Sequence, residues 1–361
     1  MTSRTLGFAA IGTALATSVA LLAPAAAHAN GAPVPVASGL NSPRQLTFSP
    51  GGQLYVAEAG VGGDGACAEH PEFGESCVGP SGSIARVNGN GSVSRVVTGL
   101  PSVANEQDAT GPSDIAFTGN SRFAVTIGLG APPEFRDALG LAGAWLGHVL
   151  TGDLRSTTLR SEADLVAYET SENPDGTDLD SNPVGLARWG NTYVVADAGA
   201  NAVVRTNDTT VATLPPVPAF APAAPFPGFP ADAVPTDVVR GPDGAWYVSQ
   251  LVGYPFEKGS SSVWRVVPGS TPTKWATGLT NVTSLAFAGD GSLYAVEIAE
   301  NGLLGGPIGR LAKVTKGGSS HATVAAGLFA PYGVAIRGSN AFVTTGSVLP
   351  GGGQVVRIAL G

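Results

Sequence analysis

Cysteine is almost missing from this sequence: 361 residues contain 2 of them, together with 4 histidines and a single methionine. No His-x-His or His-Glu-x-x-His spacing is present, so the usual catalytic zinc sites have no ligands. A Gly-x-Ser-x-Gly elbow is absent, which removes the common setting of a serine nucleophile. The glycine-rich turns lack the Lys-Ser/Thr ending of a phosphate loop. Charge is scarce as well, at 13% of residues, and the formal net charge is -8 with no basic run. That balance argues against nucleic acid or an anionic membrane surface as partner.

Long apolar runs are confined to the N-terminus. MTSRTLGFAAIGTALATSVALLAPAAAHAN places Arg4 before an apolar run from Leu6 to Leu22 and a small-residue site at Ala27-His28-Ala29. This is the pattern of a secretory signal peptide, residues 1–29, cleaved after Ala29. The mature chain, 30–361, is expected to be secreted and monomeric, with no membrane-spanning segment. Export favours disulfides, and Cys67 and Cys77 in CAEHPEFGESC are read as one. A redox pair is usually spaced more closely, and two thiols with one histidine leave a zinc site incomplete.

Glycine (51) and proline (28) are plentiful, and the apolar fraction is 43%, which suits many short strands and tight turns. One phrase recurs as VASGL, VVTGL, WATGL and VAAGL. A second strand phrase follows: RQLTF, SDIAF, VGLAR, TDVVR, TSLAF and YGVAI, five of the six directly after proline. A glycine turn then leads into LYVAE, FAVTI, YVVAD, WYVSQ, LYAVE and AFVTT, and a third strand closes each unit, as in SIARV, SVWRV and QVVRI. The expected fold is all-β: a six-bladed β-propeller of four-stranded antiparallel blades, one domain over 30–361. The last unit ends at its third strand, and PVPVASGL is a strand with no unit before it. The N-terminal strand is therefore expected to complete the last blade and close the ring.

Two insertions interrupt the pattern, the cysteine loop and APPEFRDALGLAG, where Phe135, Leu139 and Ala142 have helical spacing. The segment 214–235 is rich in proline and is expected to run extended. A basic residue recurs in the third strands at Arg86, Arg205, Arg265, Lys313 and Arg357, read as a solvated strand face.

Two columns of residues are expected at one mouth of the channel: Gln45, Asp114, Gly185, Asp237, Ser284 and Gly333, and Glu58, Ile127, Asp197, Gln250, Glu297 and Thr345. Glu58, Asp114, Asp197, Asp237 and Glu297 are the ligand-binding candidates. Four of them, Glu58, Asp114, Asp197 and Asp237, are candidates to hold calcium or another divalent cation, with Asn182 nearby. The competing reading gives these acids structural hydrogen bonds at strand ends. NPDGTDLDSN supplies Asp175, Asp178 and Asp180, in an order that differs from an EF-hand loop.

YVAEAGVGGDGAC with CVGPSGSIARV, DLVAYETSENPDGTDLDSNPVGLA with YVVADAGANAVVR, VPTDVVRGPDGAWYVSQLVGYPFEKGSSSVWRV and GLTNVTSLAFAGDGSLYAVEIAENGLL resemble the ScyD/ScyE family of exported propeller proteins. The resemblance spans nearly the whole mature chain and implies a TolB-like or NHL-like six-bladed propeller. The family name implies an association with late, extracytoplasmic steps in making the indole-derived pigment scytonemin. Val184 and Val252 depart from the Tyr and Thr expected at those places in the family pattern. The reading that follows is a secreted binding or scaffold protein engaging a small molecule, glycan or protein through a loop-rich face. The alternatives are a metal-dependent, lactonase-like hydrolase and a role in extracellular secondary-metabolite maturation.

Overall fold

Each repeating phrase is a strand, or most of one, in the computed structural model, which describes residues 32–218 and 230–361. β-Branched and aromatic residues suit a pleated, buried surface, and the glycine turns between them reverse the chain. Leu54–Glu58, Trp246–Gln250 and Leu293–Glu297 are buried along their whole length, as expected of short apolar runs with neighbours on both faces. The signal segment and residues 219–229 of the proline-rich connection lie outside the described residues. At the flanks of that connection Val217 bridges Ala231.

The strands form six four-stranded antiparallel sheets, the first extended by the short strands Cys67–His70 and Ala109–Thr110. This arrangement is consistent with a six-bladed β-propeller. The inner strands, Pro43–Phe48, Pro112–Phe117, Pro183–Trp189, Pro235–Arg240, Val282–Phe287 and Val334–Arg337, contact one another in succession, and the last also contacts the first. Threonine hydroxyls stitch neighbouring sheets together. Thr126 Oγ1 donates to Val184 O (3.0 Å), Thr236 Oγ1 to Val282 O (2.7 Å), Thr283 Oγ1 to Tyr332 O (2.6 Å) and Thr344 Oγ1 to Arg44 O (2.7 Å). Val34–Leu40 pairs antiparallel with Gly353–Ala359 and is the fourth strand of the sixth sheet.

Apolar side chains fill the gaps between successive sheets. Ile84, Leu100, Phe123 and Leu150 pack between the first and second, and Leu40, Leu46, Val56 and Val355 between the sixth and first. Aromatic pairs cross the same gaps, among them Trp189 with Trp246 at 5.5 Å and Phe48 with Phe342 at 5.2 Å.

The second insertion holds a helix, Pro133–Ala138, as its spacing predicts, with Phe135 and Leu139 buried. It ends earlier than the spacing implies. Gly140 turns the chain at φ 61°, so Ala142 faces solvent. A second helix, Leu165–Glu172, follows the second sheet, capped by Asp164, whose Oδ1 accepts from Val166 N and Ala167 N at 3.1 Å each. Among the described residues no helix is long and apolar enough to cross a membrane.

Candidate functional site

Cys67 and Cys77 are disulfide-bonded across the pair Cys67–His70 and Gly74–Val87, a bond compatible with an exported protein. The hairpin it ties leans on the first helix, with the His70 ring 5.1 Å from that of Phe135. The two expected columns lie side by side at one end of the sheets, since Pro43 pairs with Glu58, Pro183 with Asp197 and Val282 with Glu297.

The acids of the second column are engaged by the protein. Glu58, fully buried, accepts from Asn41 N at 2.7 Å, from Ser83 Oγ, and from Arg95 Nε and Nη2 at 2.8 and 2.7 Å. Glu297, also fully buried, accepts from Thr280 N at 3.1 Å and from both Nε and Nη2 of Arg310. Asp197 accepts from Asn182 N at 2.6 Å, Ser181 Oγ at 2.7 Å and Ala200 N at 3.3 Å. The same role recurs in three sheets: a carboxylate closing the second strand caps the turn that enters the first.

Asp114 and Asp237, in the first column, bridge inner strands instead. Asp114 accepts from Ile115 N and Leu186 N, each at 2.7 Å, and Asp237 from Val238 N at 2.7 Å and Leu285 N at 2.8 Å. Burial, and for Asp114 the charge of Asp237 as well, raises both above the usual carboxylate range. The backbones of neighbouring inner strands approach closely around them. A Cβ on Gly185 would lie 2.5 Å from Asp237 Cα, and one on Gly333 2.7 Å from Gln45 Cα. Gln45 Nε2 donates to Thr283 O in the fifth sheet at 2.9 Å. Of the five candidate acids, then, Asp114 and Asp237 are tied to inner-strand amides and interact electrostatically, while Glu58, Asp197 and Glu297 turn to separate loops. Among the described residues no three Asp, Glu, His or Cys side chains are arranged to hold a metal ion.

A different group of acids gathers at the same end, beside the third sheet. Glu169, on the second helix, is 1% exposed, and neither of its carboxylate oxygens has a hydrogen-bond partner. Burial, then Asp197, Asp175 and Asp180, raise it to about 8. Asp180 has one buried oxygen without a partner and is raised to about 7 by burial, then by Asp197, Glu72, Asp232 and Asp175. Asp197 stands at about 6, chiefly through burial. Asp232 is raised too, by burial and then by Asp175 and Asp178. Asp175 and Asp232 line a cleft of about 360 Å³ together with Asn201, Leu214, Pro215 and Ala233. Perturbed acids beside a cleft mark a candidate functional site. NPDGTDLDSN pointed to three of these residues, but Glu169, Glu72 and Asp232 stand in phrases with no metal or catalytic spacing.

The raised values fix the sign of a pH effect. Below about pH 4, Glu169 is neutral folded and unfolded and costs nothing. As pH rises, the unfolded chain ionises first, so stability is lost until the folded-state value, about 8, is passed. Glu169→Gln is expected to leave stability at pH 4 unchanged and to raise it at pH 8 by roughly 2 kcal/mol, after allowing for solvent screening. Denaturant unfolding at both pH values checks this. An equal pH slope in both proteins would refute it.

No family model and no curated protein matches this chain. Solved structures do. The PQQ-bound aldose sugar dehydrogenase from Streptomyces coelicolor aligns over 90% of this chain and 96% of its own, with a TM-score of 0.51 and 12% identity. A glucose dehydrogenase aligns over 91% and 99%, with a TM-score of 0.52 and 14% identity. Virginiamycin B lyase from Staphylococcus aureus aligns over 88% and 94%, with a TM-score of 0.46 and 11% identity. At these identities the likeness to the two dehydrogenases bears on the β-propeller fold alone.

Proposed function

We propose that this chain is an exported binding protein of the ScyD/ScyE kind. In this reading residues 30–361 form one six-bladed propeller that Val34–Leu40 latches shut, and its loop-rich end takes a cationic, partly apolar small molecule or peptide. The observation that carries the reading is the acid cluster: Asp175 and Asp232 line the cleft, and Glu169 and Asp180, both within reach of the Asp175 charge, have buried oxygens with no protein partner. Unpaired buried carboxylates are costly, and an incoming ammonium or guanidinium relieves that cost.

The surface of the same end of the sheets supports the apolar half of the proposal. Leu141 (97% exposed), Leu304 (69%), Tyr254, Phe329, Leu349 and Phe73 all stand on loops or strand ends at this end of the sheets. Singly exposed apolar residues are ordinary, but a one-sided distribution of them is a mark of an interaction face.

Calorimetric titration with a short alternating Lys/Leu peptide, and with its Glu/Leu counterpart, tests this reading. The Lys peptide is expected to bind and the Glu peptide not. Asp232→Asn with Glu169→Gln is expected to weaken binding by about tenfold or more, some 1.4 kcal/mol. Equal binding of both peptides, or none, would refute it. The second reading is a lactonase-like hydrolase using a divalent cation held by carboxylates at the channel mouth. Stoichiometric calcium with lactone turnover would favour it over simple binding.

A further inference from the structure

Strand direction divides the charges between two ends. In each sheet the first strand runs into the second, and in the first five the third runs into the fourth, at the end remote from the acid cluster. All six sheets place at least one cation there: Arg86, Arg122, Arg205, Arg240, Lys313 and Arg337. Of the 19 Lys and Arg, Arg4 lies outside the described residues and more than two-thirds of the others lie at this end, while most of the 27 Asp and Glu lie at the opposite one. The sequence hides this, because no two of the six are close neighbours in the chain.

Few of these cations are neutralised. Asp153 pairs with Arg155 at 2.9 Å and Asp243 with Arg265 at 2.8 Å. The remaining acids of this end are Asp208, Asp290 and, on an outer strand, Glu162. Other cations are held over aromatic rings, which position a charge without cancelling it. Arg205 lies 4.4 Å from the Trp189 centroid, Arg240 4.7 Å from Trp246, Arg337 5.3 Å from Phe48 and Lys313 5.8 Å from Tyr294. Exposed large apolar side chains are nearly missing from this end: among the described residues Val34 is the single one.

We propose that this end is a docking face for an anionic lipid surface, held by charge without insertion. The net charge of -8, which argues against such a partner for the chain as a whole, is unevenly divided between the two ends. A linear polyanion is best met by a continuous basic track, whereas cations spread over all six sheets match a charged plane. The scarcity of exposed large apolar side chains among the described residues of this end points to charge, and not embedding, as the source of affinity. Docked in this way, the protein turns its acidic, loop-rich end away from the membrane. The proposal does not rest on the ligand reading of that end.

Vesicle co-sedimentation tests it, with phosphatidylcholine alone and with phosphatidylcholine mixed with phosphatidylglycerol, at about 0.05 and 0.5 M NaCl. Binding is expected to the mixed vesicles alone, and to be lost at the higher salt. Arg122→Gln, Arg160→Gln and Lys316→Gln together, all exposed and without ion pairs, are expected to weaken it by about tenfold or more. Lys258→Gln, at the opposite end, serves as the control and is expected to bind as the parent does. Equal binding to neutral vesicles, or full binding by the triple variant with an unchanged melting temperature, would overturn the proposal. So would retention on single-stranded DNA without binding to mixed vesicles, which would assign the face to a linear polyanion.

Discussion

Deletion of residues 33–40 is expected to leave a chain that melts at least about 10 °C lower, or that aggregates before it melts. The strand removed pairs with Gly353–Ala359 in the register Val34 to Arg357, Ala37 to Val355 and Leu40 to Gly353. Losing it exposes a row of unpaired amides and carbonyls at a new sheet edge. Ala37 and Leu40 are buried against Leu46, Val56 and Val355, so the gap between the sixth and first sheets opens as well. Removing a single buried leucine side chain costs about 2–5 kcal/mol, a large share of the 5–15 kcal/mol by which domains are typically stable. The peptide APVPVASGL, residues 32–40, is expected to raise the melting temperature of the deleted protein by adding back as a strand. Calorimetric melting with and without the peptide checks both points. An unchanged transition in the deleted protein would mean that the first and sixth sheets hold together without the latch.

That strand is also the clearest case of a structural feature legible in sequence, because a repeat leaves a countable remainder. A unit short of one strand at the C-terminus and an unassigned strand at the N-terminus predict a pairing some 320 residues apart, and that pairing is present. The disulfide was readable for a different reason, since only two cysteines exist and the loop between them is short. The candidate acids were legible in position but not in role. Glu58, Asp197 and Glu297 do lie at one end, yet what each carboxylate does depends on partners that periodicity does not supply. Arg95 is 37 residues beyond Glu58 in a different strand, and Leu285 N reaches Asp237 across 48 residues. The acid cluster was harder still, because Glu169 belongs to a helix that the strand repeat conceals. Its N-cap, Asp164, was the available local signal. The segregation of basic residues was invisible for a related reason: one cation per unit is unremarkable along the chain and becomes a face only when six units are arranged side by side.

The roles of the second-column acids are open to a direct test. Arg310→Ala is expected to destabilise the protein by about 3–5 kcal/mol, because it strands a fully buried carboxylate with one remaining donor, Thr280 N. Adding Glu297→Gln to that variant is expected to recover part of the loss, since a neutral amide oxygen still accepts from Thr280 N and carries no charge to leave unpaired. The coupling between the two substitutions, measured by denaturant unfolding of all four proteins, is then large and favourable. Arg95 and Glu58 form the equivalent pair in the first sheet, and Arg95→Ala is expected to cost less, because the Arg95 side chain is 37% exposed and water can reach the site it vacates. If Arg310→Ala instead left stability intact and altered only the binding of a cationic probe, Glu297 would be a ligand-facing group and not a strap between strands. The two outcomes separate the binding and structural readings of this column without knowledge of the natural ligand. They also decide where substitutions aimed at function belong. With Glu58 and Glu297 committed to their arginines, and Asp175 accepting from Thr177 and Asn201, substitutions aimed at a ligand belong first at Glu169, Asp180 and Asp232.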